Sequence, residues 1–329
     1  MLTGRTLHTR RTARRVVLSG ADRERLRRAR GGTIVAARSI FGPDTVTWRV
    51  NREAVVLLGG GRALLMQVAH PLVAAGVAAH SDFQRNPLQR LWRTLDLMLT
   101  ITFSGAASAM RAVHAIEHVH ARVHGVLDAD VGPFRSGARY DANDPELLLW
   151  VHATLVDTAL RVHRLCAPRL SADDERRYYE ESVVVGRLLG IPSRLLPSTL
   201  PGFREYVHAM VHGDVLAVGP ASRAIAATIL VPPVPRALAP VFRIANVFTV
   251  GLLPPTLRRR YGLSWDAGRH AAMRVLVAVI RHLLPRLPDA VRYLPHARRA
   301  ALDVPASQPG VGYKRSARPT AGSAAGAQD

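Results

Sequence analysis

The stretch DPELLLWVHATLVDTALRVHRLC, residues 144–166, decides the fold class of this chain. It begins with Asp144, followed by Pro145 at a position suited to the first helical residue and Glu146 beside the positive end of the helix dipole. Apolar side chains then recur at helical spacing up to Cys166. This pattern predicts one long helix with an apolar face.

Comparable helix signals recur along the chain, and they predict an all-α protein. Helices are expected at about 62–80, 87–103, 105–126, 145–166, 172–189, 203–212, 220–230 and 265–284. Pro71 removes a backbone hydrogen bond and predicts a kink beside His70. The alternation of an extended sheet is missing, although a short hairpin within 125–143 stays open.

The composition limits the class of protein. The chain has 329 residues, 48% of them hydrophobic, which excludes wholesale disorder and collagen. The single cysteine, Cys166, excludes an internal disulfide and any site with several thiolates. We expect a flexible arginine-rich segment over 1–39, one domain over 40–300 and a disordered tail over 301–329. Without a signal-peptide core or a membrane-length apolar run, a cytoplasmic protein is expected.

The net charge suggests a second class of function. Lysine and arginine number 45 against 24 acidic residues, a formal net charge of +21, and such a surface attracts polyanions. One alternative is therefore a basic helical module that binds nucleic acid or an anionic membrane. Because neither a recognition-helix motif nor an aromatic stacking platform is found, no specific nucleic-acid partner is expected. A peripheral membrane contact through the basic N-terminus stays open.

Two histidines on different helices are predicted to reach the core. With Ile116 at the centre of an apolar stripe, His120 falls inside that stripe, whereas His114 and His118 fall on the opposite, solvated side. His152 falls inside the apolar stripe of the 145–166 helix. Each buried imidazole is either a core histidine with a hydrogen-bond partner or a metal ligand.

The ligand pattern favours haem over a bare metal ion. Glu117 and His120 are three residues apart, but the second Glu-x-x-His of a ferritin-like site is absent, and so is His-Glu-x-x-His. Haem needs only one axial imidazole from the protein.

One helix face in the first third of the chain carries cations and a hydroxyl. Arg90, Arg93, Thr94 and Leu97 lie at helical spacing on the 87–103 helix. They form either a solvated face or a set of donors for a carboxylate or bound oxygen. Residues 59–62, Gly-Gly-Gly-Arg, lack the strand and the Lys-Ser/Thr ending of a phosphate loop, which favours an interhelical turn.

Five sequence blocks, in order and with similar spacing, resemble the MpaB-type oxygenase family, which includes the rubber-cleaving latex-clearing proteins. The blocks are GGRALLMQVAHP at 60–71, HSDF at 80–83, Arg90-x-x-Arg-Thr94, VHARVHG at 119–125 and DPELLLWVHA at 144–153. The similarity spans roughly residues 45–270.

The resemblance implies a globin-like helical bundle around a haem b pocket. It implies that His120 is the proximal iron ligand and that His152 is a second pocket histidine. Arg90 would pair with a haem propionate, and Arg93 and Thr94 would lie beside bound oxygen on the distal side. The implied reaction is oxidation by O2 of a hydrophobic unsaturated small molecule, isoprenoid or lipid-like, with cleavage of a carbon–carbon double bond.

Several positions depart from the family or remain open. His70 and His124 are further candidates for the cofactor pocket, and His124 stands where the family often has an arginine. Arg93 stands where the rubber-cleaving members have a lysine. Residues 63–81 contain no acid, whereas the rubber cleavers use an acid in this region as a base. A haem-binding protein without oxygenase turnover is therefore a further alternative.

Overall fold

The computed structural model describes residues 39–80, 87–232, 237 and 239–302, without the side chains of 87–91, 239 and 241. The expectations for 1–38 and 303–329 lie outside these residues. The described part is helical with one two-stranded sheet, which confirms the all-α prediction. The helices are α1 (Val46–Asn51), α2 (Gly60–Val68), α3 (Pro71–His80), α4 (Pro87–Phe103), α5 (Ala106–His120), α6 (Pro145–Cys166), α7 (Ala172–Leu188), α8 (Leu200–His212), α9 (Pro220–Leu230), α10 (Ala239–Leu252), α11 (Pro255–Tyr261), α12 (Ala267–Leu283), α13 (Asp289–Arg292) and α14 (Pro295–Leu302), with 3-10 helices at Ala54–Gly59 and Leu284–Arg286.

Helix α6 runs through the largest hydrophobic cluster. The Asp144 carboxylate accepts a hydrogen bond from the Glu146 backbone N–H at 2.8 Å, which fixes the start of the helix. Trp150 is fully buried, and its indole N–H donates to the Met66 carbonyl at 3.1 Å. Burying such a side chain contributes about 2–3 kcal/mol, so this contact ties α6 firmly to α2.

The helix predicted over 62–80 is broken at Pro71. Residues Ala54–Val68 and Pro71–His80 meet at an angle of 105°. The break is sharper than the predicted kink because α2 ends before the proline and α3 starts with it. Among the described residues no single helix is long and apolar enough to span a bilayer; only this bent pair, taken together, meets the length and composition required.

The helix predicted over 105–126 is too long. Helix α5 ends at His120, and the chain turns into strand β1 (His124–Val126), which pairs antiparallel with β2 (Arg139–Asp141). The hairpin left open within 125–143 is therefore present. His124, expected on the edge of a helix, is instead the first residue of this hairpin and is exposed.

A buried arginine joins three helices. Arg62 is 2% exposed, and its guanidinium donates to the Asp157 carboxylate at 2.6 Å, the Thr158 hydroxyl and the Leu252 carbonyl at 2.8 Å. Burial lowers the pKa of Arg62, and the charge of Asp157 opposes that shift. A Cβ added at Gly61 would lie 2.3 Å from the Thr249 hydroxyl. The predicted interhelical turn is therefore wrong: Gly59 ends a 3-10 helix, Gly60 and Gly61 begin α2 directly, and Gly61 lets α2 approach α10 closely.

The last helices are fastened to the start of the fold by a buried ion pair. Arg292 donates to both carboxylate oxygens of Glu53, at 2.9 and 2.6 Å, and the Glu53 side chain is 3% exposed. The Leu294 backbone N–H donates to the Arg52 carbonyl at 2.8 Å. The Arg52 guanidinium also lies 4.3 Å from the centre of the Tyr293 ring. We refer to α13 and α14, held in this way, as the C-terminal clasp.

An Arg292→Met variant is expected to lose about 2 kcal/mol of unfolding free energy, because it leaves the Glu53 carboxylate buried without its cation. The loss is below that of a fully buried pair because the Arg292 side chain is 16% exposed, so water can reach the space that it leaves. Urea unfolding at neutral pH measures the change. The exposed Arg299→Met on α14 is the control and should unfold like the parent; equal midpoints for all three proteins would contradict the expectation.

Candidate functional site

Helices α4 and α5 form a tight antiparallel pair that carries most of the predicted distal and ligand residues. Only Ser104 and Gly105 separate them. Leu97 of α4 and Ile116 of α5 pack in one hydrophobic cluster with Val185 of α7. This cluster fixes which faces of the two helices meet.

The predicted residues lie at the same end of this pair. Thr94 is almost one turn from Leu97 towards the start of α4, and His120 is about one turn from Ile116 towards the end of α5. Because the helices are antiparallel, both displacements point in the same direction. We call this end, with Arg93, Thr94 and His120, the α4–α5 mouth.

Exposure changes at the mouth. Thr94 continues the stripe of Leu97 and Ile101 at helical spacing, yet it is exposed, whereas Ile101 is fully buried. Arg93 is exposed. His120 is half-buried at the end of α5, which corrects the prediction that it reaches the core. The packing between the two helices therefore loosens as the stripe reaches the mouth, where a hydroxyl, a guanidinium and an imidazole are accessible.

His120 is the last residue of α5. The carbonyl end of a helix carries a partial negative charge, which favours a cation held by a side chain there. Its neighbours His118 and Val119 are exposed, and His114 faces solvent and pairs with Glu117 at 3.0 Å. The predicted solvated side of α5 is thus confirmed for His114 and His118.

The β-hairpin beside the mouth is positioned by a histidine and a tyrosine. His80 Nε2 lies 3.1 Å from the His124 carbonyl oxygen and 3.3 Å from the Tyr140 hydroxyl. A Cβ added at Gly125 would lie 2.6 Å from that hydroxyl, so only glycine lets the Tyr140 ring cross strand β1. His124 therefore contributes its backbone carbonyl here, and its imidazole faces outward.

His70 lies at the break between α2 and α3. Its Nδ1 accepts a hydrogen bond from the Leu72 backbone N–H at 3.3 Å, which caps the start of α3. Burial lowers the pKa of His70 to about 4, and the charge of Asp144 acts in the opposite direction. The ring centre of Phe134 is 5.3 Å away. The imidazole thus has a structural function in the described chain, and its predicted place in a cofactor pocket stays a prediction.

His152 is buried, as the helical phase predicts, between α6 and α7. A Cβ added at Gly186 would lie 3.4 Å from the ring, and the backbone of Ser182 offers it one hydrogen bond. Its Nδ1 has no hydrogen-bond partner among the described residues. Burial lowers the pKa of His152 to about 4, so the ring is neutral at pH 7. It faces α7, whereas Arg93, Thr94 and His120 lie at the mouth.

Stability should fall on mild acidification because of His152. Its pKa is about 4 in the folded chain against 6.5 ordinarily, so the unfolded chain binds the proton more readily. The associated stability is complete above pH 6.5 and is lost as the pH falls towards 4, with about 2 kcal/mol gone at pH 5.

Urea unfolding at pH 7.5 and pH 5 tests this. His152→Gln should unfold with a smaller difference between the two pH values than the parent does. The exposed His114→Gln serves as control and should keep the parent's difference. If His152→Gln also kept it, the imidazole would not be the titrating group.

Two of the five sequence blocks are in direct contact. Trp150 joins the 144–153 block to the 60–71 block through Met66, and the Gln67 amide donates to the Thr154 hydroxyl at 3.1 Å. A family model described as "ER-bound oxygenase mpaB/B'/Rubber oxygenase, catalytic domain" matches residues 48–282, most of the chain. The chain belongs to this family. No curated protein and no solved structure matches it significantly.

Membership of the MpaB/rubber oxygenase family supports an oxygenase activity, and hence O2 as a substrate. In the part of the chain that the structure describes, no group of three His, Cys, Asp or Glu side chains could hold a bare metal ion. Arg90, predicted to meet a propionate, has its side chain outside the described residues.

Two features near these blocks were missed from the sequence. The Arg62–Asp157 pair joins residues 95 positions apart, and its one local signal is an acid within the apolar pattern of α6. Tyr140 lies opposite Gly125 in the hairpin. The glycine within the 119–125 block was the available signal, since a glycine in a strand often marks close approach of another group.

Proposed function

We propose that the chain is a haem b-dependent oxygenase that oxidises a hydrophobic unsaturated small molecule, isoprenoid or lipid-like, by cleaving a carbon–carbon double bond. The supporting observation is the α4–α5 mouth. Arg93 and Thr94, on one helix, and His120, on the other, lie at the same end of a packed helix pair. They belong to separate sequence blocks that the family resemblance assigned to one pocket.

The residues at the mouth fit haem better than a bare metal ion. His120 offers a half-buried imidazole at the negative end of α5. Trp92 and Val119, which adjoin Arg93 and His120 in the sequence, are large apolar side chains left exposed. A porphyrin supplies four iron ligands itself and offers a broad apolar face, so it needs one imidazole and apolar surroundings.

Each mouth residue has a defined part in the proposal. His120 would hold the iron, and Arg93 and Thr94 would donate hydrogen bonds that orient an electronegative atom beside it. When bound, haem b supplies an iron centre able to activate dioxygen. As a guanidinium, Arg93 would act as a fixed cation with several N–H donors and not as a proton carrier. His152 faces α7 and not the mouth, so it has no part in this arrangement and its predicted place in the pocket stays a prediction.

Absorption spectroscopy tests the cofactor. Full-length protein produced with haem supplementation should show a Soret band, and carbon monoxide added to the reduced protein should shift it. Such a shift requires an axial position that the protein leaves open. Oxygen consumption with unsaturated isoprenoids or lipids then tests turnover. A colourless preparation after haem reconstitution would overturn the proposal, and a haem protein without oxygen consumption would leave only the haem-binding alternative.

Arg93→Leu and Thr94→Val are expected to keep the Soret band but to slow oxygen consumption by roughly 10-fold or more, since each removes one polar donor from the mouth. Arg111→Leu, an exposed arginine elsewhere on α5, should consume oxygen at the parent rate. Unchanged turnover in both mouth variants would remove Arg93 and Thr94 from the proposed site.

A further inference from the structure

The outward face of α12 is apolar, which is unusual for a helix at a protein surface. Its inner face packs Met273, Leu276, Val277 and Ile280 against a core cluster. Its outer face consists of residues within about 80° of Val275 on the helical wheel. From Ala271 to Leu283 these are Ala271, Ala272, Val275, Ala278, Val279, His282 and Leu283, all of them exposed.

The exposure of this face is large. Val275 is 62% exposed, Leu283 48% and Val279 46%. The outer face carries no charged residue, and His282 is its only polar side chain. A surface helix of a globular protein ordinarily places its charged and polar residues on this side. An exposed apolar patch of this kind marks a surface that contacts something other than water.

A basic row runs beside the apolar face. His270, Arg274 and Arg281 lie about 100–140° from Val275, all on the same side of the helix. All three are exposed, and no acidic residue occurs anywhere between Ala267 and Leu283. The helix therefore presents an apolar strip with cationic side chains along one edge.

The basic row of α12 and the net charge of the chain favour one partner among a second copy, a nucleic acid and an anionic lipid surface. A second copy of the chain is disfavoured, because an antiparallel pairing of two α12 faces would bring both basic rows to the same side, and each copy carries a net charge of +21. A nucleic acid would satisfy the arginines but would leave Val275 and Val279 in water. An anionic lipid surface satisfies both, since apolar side chains enter the headgroup boundary while arginines meet phosphates.

We propose that α12 docks the protein on the surface of an anionic lipid bilayer. Val275, Val279 and Leu283 would enter the boundary between headgroups and acyl chains. Arg274 and Arg281 would pair with lipid phosphates. The contact is peripheral, and it does not depend on haem or on the oxygenase reaction.

Vesicle co-sedimentation of the full-length protein tests the docking. Binding is expected to equimolar phosphatidylcholine and phosphatidylglycerol, with much weaker binding to phosphatidylcholine alone. Val275→Asp/Val279→Asp and Arg274→Glu/Arg281→Glu should each lower the partition coefficient at least about 10-fold. Val275→Phe should raise it, and this gain separates docking from a folding defect.

Matched controls use exposed residues on other elements. Val126→Asp on β1, and Arg111→Glu/Arg139→Glu on α5 and β2, should bind vesicles like the parent within about twofold. Equal binding by the α12 variants and the parent would overturn the proposal and assign any vesicle binding to another basic segment. A dimer in analytical ultracentrifugation that Val275→Asp/Val279→Asp converts to a monomer would also overturn it, in favour of an interface between copies.

Discussion

A His120→Ala variant is expected to bind haem at least about 100-fold more weakly than the parent and to lose its Soret band. The porphyrin fills the equatorial positions of the iron, so the protein's direct bond to the metal would be this one imidazole. The negative end of α5 would add to the affinity, but it cannot replace a ligand. Haem titration followed by absorption at equal protein concentrations gives the ratio.

The neighbouring His118→Ala is the matched control, because His118 is exposed and two positions away on the same helix. It should bind haem like the parent. Added imidazole should restore part of the colour to His120→Ala, as a free ligand can occupy the space left by the side chain. If His120→Ala retained full colour, the ligand would have to be another residue, and the assignment of the mouth would fail even for a haem protein.

Replacing Asp157 by leucine is expected to cost about 3 kcal/mol of unfolding free energy, more than the loss expected for Arg292→Met. The expected loss is larger because of the charge that the substitution leaves buried. Arg62 is 2% exposed and would keep its charge with only a hydroxyl and a carbonyl as partners, whereas water can reach the space that Arg292 leaves. Asp157 is partly exposed, which keeps the figure at the lower end for a broken buried pair.

A double-mutant cycle in urea isolates the interaction. Arg62→Met/Asp157→Leu should be more stable than Asp157→Leu alone, because the buried charge is gone. Asp173→Leu removes an acid from a surface pair on α7 and should change the unfolding midpoint only slightly. If the loss in the double variant equalled the sum of the losses in Arg62→Met and Asp157→Leu, the pair would not be energetically coupled.

Local signals in the sequence predicted much of the helical layout. Helix α6 starts and ends where Asp144 and Cys166 indicate, and α7 starts at the predicted residue 172, where Ser171 and Asp174 form a capping box. The helical phase also predicted that His152 is buried. These features depend on residues within a few positions of one another, and such interactions can be read from a single sequence.

Features that depend on distant residues could not be predicted in this way. The sequence from Ala121 to Val126 continues the apolar phase of α5, but the chain leaves the helix because strand β1 pairs with β2 and Gly125 admits the Tyr140 ring. The Arg62–Asp157 pair has no periodic signal. The convergence of Thr94 and His120 depends on the antiparallel packing of two helices, which the resemblance implied and the residue pattern alone did not.

The C-terminal clasp places the end of the packed domain beyond the end of the family match. The family match ends at residue 282, ten positions before Arg292, yet the cation there neutralises a carboxylate on the second residue after α1. A recombinant fragment trimmed to the shared region would retain every family block and still expose Trp48 and Phe103, which pack with Leu294. The region that the family model matches is therefore shorter than the packed domain. A fragment limited to the matched region would expose an apolar surface where the C-terminal clasp packs in the full chain.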